Sequence, residues 1–144
     1  MKNAVRWIKA WLIASVVTYL LASIAHSQFV LLELLKIDID VSASQWVSMT
    51  ASDLAGLGLT YGPVIMLSLL IAFLSLTAVS KYILRTPNWV FVVGGALAIA
   101  IMLLAMQPIL NVTLIAGARS TLGFLSQCCA GLVGGWTFAR LSSR

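Results

Sequence analysis

Residues 27–62, SQFVLLELLKIDIDVSASQWVSMTASDLAGLGLTYG, decide how the rest of the chain is read, because they form the only long part that is not continuously apolar. All four acidic residues of the protein lie in them: Glu33, Asp38, Asp40 and Asp53. On both sides the sequence consists of apolar runs of membrane-spanning length. The stretch is therefore the candidate extramembrane segment of a polytopic membrane protein.

Composition agrees with that reading. The chain has 144 residues, of which 61% are hydrophobic and 9% charged, with a mean hydropathy of +1.05. A soluble domain carries about 25% charged residues. The net charge of +5 does not point to nucleic acid, since the basic residues sit singly at the ends of apolar runs and form no basic face. No nucleic-acid partner is expected.

A transmembrane helix needs about 20 apolar residues, and four runs qualify, at about 5–25, 63–79, 89–106 and 120–139. They predict an all-α bundle of four transmembrane helices in a single integral membrane domain, 1–144, with residues 27–62 as its outer cap. Trp7 and Trp11 stand where an interfacial aromatic belt would be. The first run also has features of a secretory signal, with Ser23-Ile24-Ala25 as an imperfect cleavage site, but Phe29 to Leu35 is apolar enough to continue the same helix. Pro63 suits a first helical turn. Gln107-Pro108 closes the third run.

Basic residues set the expected orientation. Lys2, Arg6, Lys9, Lys81, Arg85, Arg140 and Arg144 fall on one side, Lys36 and Arg119 on the other. The positive-inside rule places both termini in the cytoplasm, with the inner membrane of a bacterium as the expected location.

Within the outer stretch, Ile37 to Val41 alternates like a strand but has no partner strand, so extended loop is expected. From Ser44 to Leu57 the spacing becomes helical, with Val47, Ala51 and Leu54 on one face. This predicts a short amphipathic helix lying on the outer membrane surface or capping the bundle. Gly56, Gly58 and Gly62 would then turn the chain into the second span.

Small residues recur at helical spacing in every span. Ala10, Ala14, Thr18 and Ala22 do so in the first, Ser68, Ala72 and Ser75 in the second, Gly94, Ala98 and Ala105 in the third. The fourth has Gly123, Gln127, Gly131 and Gly135. Lipid gives helices no hydrophobic reason to associate, so close backbone approach along such stripes is what holds a bundle together. Gln127 is the deepest polar side chain that its own helix cannot satisfy, and its amide is expected to bond across the bundle.

The chemistry-bearing groups gather elsewhere. His26, Gln28, Glu33, Asp53 and Arg119 are the candidate ligand-binding residues, at the outer rim of the spans, with Arg119 placed to hold an anion or to pair with Asp53. A single histidine without a carboxylate at ligand spacing gives no metal site. Adjacent Cys128 and Cys129 lack the gap of a redox motif. Asn111-Val112-Thr113 matches a glycosylation acceptor with force only in a eukaryotic source. No phosphate-binding loop, nucleophile elbow or HExxH pattern is present, and no cofactor is implied.

These features point to a non-catalytic accessory protein of a membrane complex. Its expected partners are membrane lipids and either a larger complex or further copies of itself. A lipid- or small-molecule-binding protein with its site at the rim, enzymatic or not, is the alternative. An oligomeric transporter is a weaker one, because the spans carry no central charge to couple an ion.

Overall fold

The computed structural model describes residues 2–36, 42–82, 87–110 and 120–142. They form four helices: α1 (Lys2–Lys36), α2 (Ala43–Tyr82), α3 (Trp89–Leu110) and α4 (Thr121–Ser142). No strand occurs among the described residues. All four helices are long and apolar enough to cross a membrane. The protein is an all-α polytopic membrane protein whose helices form a bundle in which α1 packs against α2 and α4, and α3 against α2 and α4.

The separate surface helix expected between the first two spans does not exist. α2 begins at Ala43 and continues without a break through Gly56, Gly58, Gly62 and Pro63 to Tyr82. Its start is fixed by a reciprocal cap, in which the Ser42 amide donates to Gln45 Oε1 at 2.9 Å and the Gln45 amide to Ser42 Oγ at 3.4 Å. The glycines serve packing: a Cβ on Gly58 would stand 3.2 Å from the Tyr19 hydroxyl, so its absence lets that tyrosine lie along α2. Pro63 is accommodated inside the helix, as membrane helices permit where neighbours compensate the lost backbone bond. α1 likewise runs on to Lys36. Residues 37–41, expected as loop, lie outside the described residues.

The tightest joint lies between α3 and α4. A Cβ on Gly131 would come within 2.5 Å of the Gly95 carbonyl oxygen, and one on Gly95 within 3.0 Å of Gly135 Cα. Gly135 in turn abuts the backbone of Phe91 and Val92. Two helix backbones therefore touch directly, which only glycine allows. The α1–α4 joint uses Gly134, which faces Thr18 Oγ1 and the Ala14 carbonyl. Ala14, Thr18 and Ala22 of α1, Ala98 of α3 and Gly123 of α4 are buried.

One end of the bundle is closed by aromatic rings from all four helices. Phe138 stacks on Phe73 with ring centroids 4.2 Å apart, meets Trp7 edge-on at 5.4 Å and lies 5.3 Å from Phe91. Trp7 donates to Thr77 Oγ1 at 3.1 Å, and Trp11 to the Met66 carbonyl at 3.1 Å. Both indoles thus have protein partners in addition to any interfacial role. Large apolar side chains including Val16, Leu67, Ile101, Leu104 and Leu125 cover the outside of the bundle, as lipid contact requires.

The glycine seam makes a quantitative prediction. Gly131→Ala should lower stability by about 1–3 kcal/mol through overpacking. Gly56→Ala, at a position with nothing within 4 Å, should be neutral or raise it by about 0.5–1 kcal/mol. Unfolding of the detergent-solubilised protein by denaturant or heat would measure both.

Candidate functional site

The polar residues of α1 and α2 do not converge on a shared rim. Most meet each other along the α1–α2 seam. Ser27 Oγ lies 2.8 Å from Asp53 Oδ2 and 3.2 Å from the Ser23 carbonyl, so the single hydroxyl proton is shared between two acceptors. The Trp46 indole donates to Gln28 Oε1 at 2.8 Å, and the Tyr19 hydroxyl to the Leu54 carbonyl. His26 is buried on α1 within electrostatic reach of Asp53. This arrangement follows from the spacing: residues 19, 23, 26 and 27 share one face of α1, while 46, 50, 53, 54 and 57 share the face of α2 opposite it.

Glu33 is apart from this group. It forms an exposed ion pair with Lys36, Nζ to Oε1 2.8 Å, on the last turn of α1. Arg119 lies outside the described residues, and so does the suggested Arg119–Asp53 pair. Of the five residues selected from the sequence, the structure brings together His26 and Asp53 in one seam, with Gln28 beside them, and places Glu33 elsewhere.

A second polar cluster is fully internal. Gln127 on α4 has no exposed surface; its Nε2 donates to the Ala22 carbonyl of α1 at 2.9 Å, and its Oε1 accepts from the Tyr61 hydroxyl of α2 at 3.2 Å. One side chain thus ties three helices. Ser68 Oγ adds a bond from α2 to the Ala98 carbonyl of α3 at 2.9 Å. A buried tyrosine hydroxyl usually finds a partner, and Tyr61, 2% exposed, finds its own in Gln127 inside the bundle. The hydroxyls of Ser15 and Ser23 are buried without any partner among the described residues.

The chemical capacity of these clusters is small. Their donors and acceptors are mostly used by one another, and among the described residues no group of three or more His, Cys, Asp or Glu could hold a metal. Ala72 and Gly94, expected in tight packing, line an open groove between α2 and α3 of about 310 Å³, floored by Ser68, Ser75 and Ala98. Leu76 reaches across it over Gly94. Ile71, Leu97 and Ile101 stand exposed at its edges.

The class that fold and site define is a helical membrane protein with interior polar clamps. No protein-family model matches the chain, and neither a characterised protein nor a solved structure has significant similarity to it.

The two clusters respond differently to substitution. Tyr61→Phe and Gln127→Leu, combined in a double-mutant cycle, should show a coupling of about 0.6 kcal/mol, the usual size of an interhelical bond in a membrane protein. Ser23→Ala should be neutral or stabilising because it removes an unpaired buried hydroxyl. Glu33→Ala should change stability by less than about 0.5 kcal/mol, its ion pair being exposed. Equilibrium unfolding in one detergent would test all three.

Proposed function

We propose that the protein is a non-catalytic accessory subunit of a larger membrane complex, and that the groove between α2 and α3 receives a transmembrane helix of its partner. The observation that carries this reading is the groove itself. It follows the small residues Ser68, Ala72, Ser75, Gly94 and Ala98 along two neighbouring helices, which is the surface that lets another helix backbone approach closely. Within the groove Ser75 is exposed and Ala72 partly so, while Leu76 covers Gly94 and Ala98 is buried; elsewhere in the bundle Gly95, Gly131 and Gly135 are covered by a neighbouring helix. The mutual satisfaction of Ser27, Asp53, Gln28 and Trp46 further favours a structural over a catalytic use of the polar seam.

The membrane in this reading is the inner membrane of a bacterium, with both termini cytoplasmic. Arg6, Lys9 and Arg140 stand at the same end of the bundle as the aromatic plug formed by Trp7 and Phe138, near the start of α1 and the end of α4. The positive-inside rule assigns that end to the cytoplasm.

A photo-crosslinking residue in place of Ala72, introduced in cells, should capture one defined membrane protein, and the same partner should accompany the wild-type protein in stoichiometric amount by native mass spectrometry. Ala72→Leu, which fills the groove, should abolish that association while the bundle still folds. A wild-type protein that is monomeric and captures lipid alone at Ala72 would overturn the proposal. Cysteines placed at Lys9 and Glu33 should label from opposite sides of the membrane, with the Lys9 position reached only after permeabilisation.

A further inference from the structure

Opposite the aromatic plug, the last turns of α1 and the start of α4 form a groove of about 390 Å³. Phe29, Leu32, Leu35 and Leu122 give it an apolar floor, and Glu33, Lys36 and Ser120 give it a polar rim. Leu122 is 69% exposed and Leu32 45%, so the floor is an apolar surface that the other described residues leave exposed. At the rim, Lys36 Nζ and Glu33 Oε1 lie 2.8 Å apart with both side chains more than half exposed. Ser120 Oγ accepts the Gly123 amide at 3.1 Å, which leaves its own proton to donate. The groove therefore places one anion, one cation and one hydroxyl donor directly beside a hydrocarbon-like floor.

This pattern selects its occupant by charge. A soluble polar molecule would leave the leucines uncovered, and a second apolar helix would strip water from the Glu33–Lys36 pair without replacing it. An anionic headgroup would gain Lys36 and meet Glu33 with the wrong sign. A headgroup bearing both an ammonium and a phosphate meets each with the opposite charge, while its acyl chain covers the floor. The groove also sits where α4 begins, the depth at which a span gives way to the interface, with Lys36 beyond the apolar residues and Glu33 between Leu32 and Leu35.

We propose that this groove binds a zwitterionic glycerophospholipid of the ethanolamine class, with its ammonium at Glu33, its phosphate at Lys36 and the Ser120 hydroxyl, and an acyl chain along Phe29, Leu32 and Leu122. The site is separate from the α2–α3 groove, on the other side of the bundle. It makes the protein a selective reader of lipid headgroups.

The test uses the full chain in bilayer nanodiscs holding equal amounts of phosphatidylethanolamine and phosphatidylglycerol, released into native mass spectrometry. The wild type should retain one ethanolamine lipid per chain in about fivefold excess over the glycerol lipid, the effect of about one near-surface charge. Glu33→Lys should reverse that preference, and Leu122→Trp, which fills the floor at an exposed position, should remove retention with an unchanged circular dichroism spectrum. Equal retention of both lipids by the wild type, retention that survives Leu122→Trp, or a lipid-free dimer in place of the lipid-bound monomer would each overturn the proposal. If Leu122→Trp fails to fold, Glu33→Lys still decides, since it alters a solvent-facing side chain and predicts a reversal rather than a loss.

Discussion

Direct contact between the backbones of α3 and α4 is the constraint from which the rest of this bundle is built. Apolar side chains facing lipid gain little by turning to face another helix, so association rests on dispersion and on the few polar bonds available. Dispersion falls steeply with separation, and Gly95, Gly131 and Gly135 reduce the separation to the minimum. α1 joins through Gly134, against Thr18 and Ala14. α2 has no comparable seam with α3, and is held instead by the ring stack of Phe73 on Phe138, the Tyr61–Gln127 bond and the polar contacts with α1. The helix with the fewest backbone contacts is thus the one with the most specific side-chain clamps, and it is also the one that borders the open groove.

The two adjacent glycine pairs illustrate how much of this was legible. Small residues counted at every fourth position mark Gly94 on α3 and Gly131 and Gly135 on α4, and the adjacent pairs Gly94-Gly95 and Gly134-Gly135 point to close packing without saying against which helix. In the bundle each member of a pair serves a different neighbour. Gly94 lies under Leu76 of α2 and Gly95 against α4, while Gly134 faces α1 and Gly135 faces α3. Successive residues of a helix point about 100° apart, and a helix between two neighbours needs a small residue toward each. Adjacent glycines in an apolar run are the sequence mark of such a helix, and a single stripe cannot reveal it.

The outer stretch was misread for a related reason. In sequence Gly56, Gly58, Gly62 and Pro63 read as punctuation, which is what they are in water, where an exposed helical glycine costs about 1 kcal/mol against alanine. Against a packed tyrosine the same residue removes a clash, and Tyr19 lies beside Gly58 and Gly62. The true boundary was present at Ser42-Ala43-Ser44-Gln45, a capping box that outranks the glycines because both partners bond at once. On two continuous helices the polar residues Ser27, Gln28, Trp46 and Asp53 face one another along a seam. His26 and Asp53 could be selected from their residue type, but their partners depended on a register that only the assembled helices define.

Continuity of α2 also changes what the protein presents to its surroundings. Its 40 residues reach about 60 Å, against about 33 Å for the 22 residues of α3 or α4, and the hydrocarbon core is about 30 Å thick. Tilt cannot absorb a twofold excess in a helix packed along α3, a neighbour of spanning length, because both would have to tilt together. On these lengths part of α2 projects from the bilayer, and its N-terminal part, through Trp46, Asp53 and Leu54, bonds to α1 along one face. Val47 at 71% and Leu59 at 87% exposure stand on the uncovered side. Apolar side chains on a projecting helix are costly in water, which favours a surface covered in the native membrane and agrees with an accessory role. In place of a separate cap, the described residues of the stretch continue α1 and α2, which the Ser27–Asp53 and Gln28–Trp46 bonds fasten together.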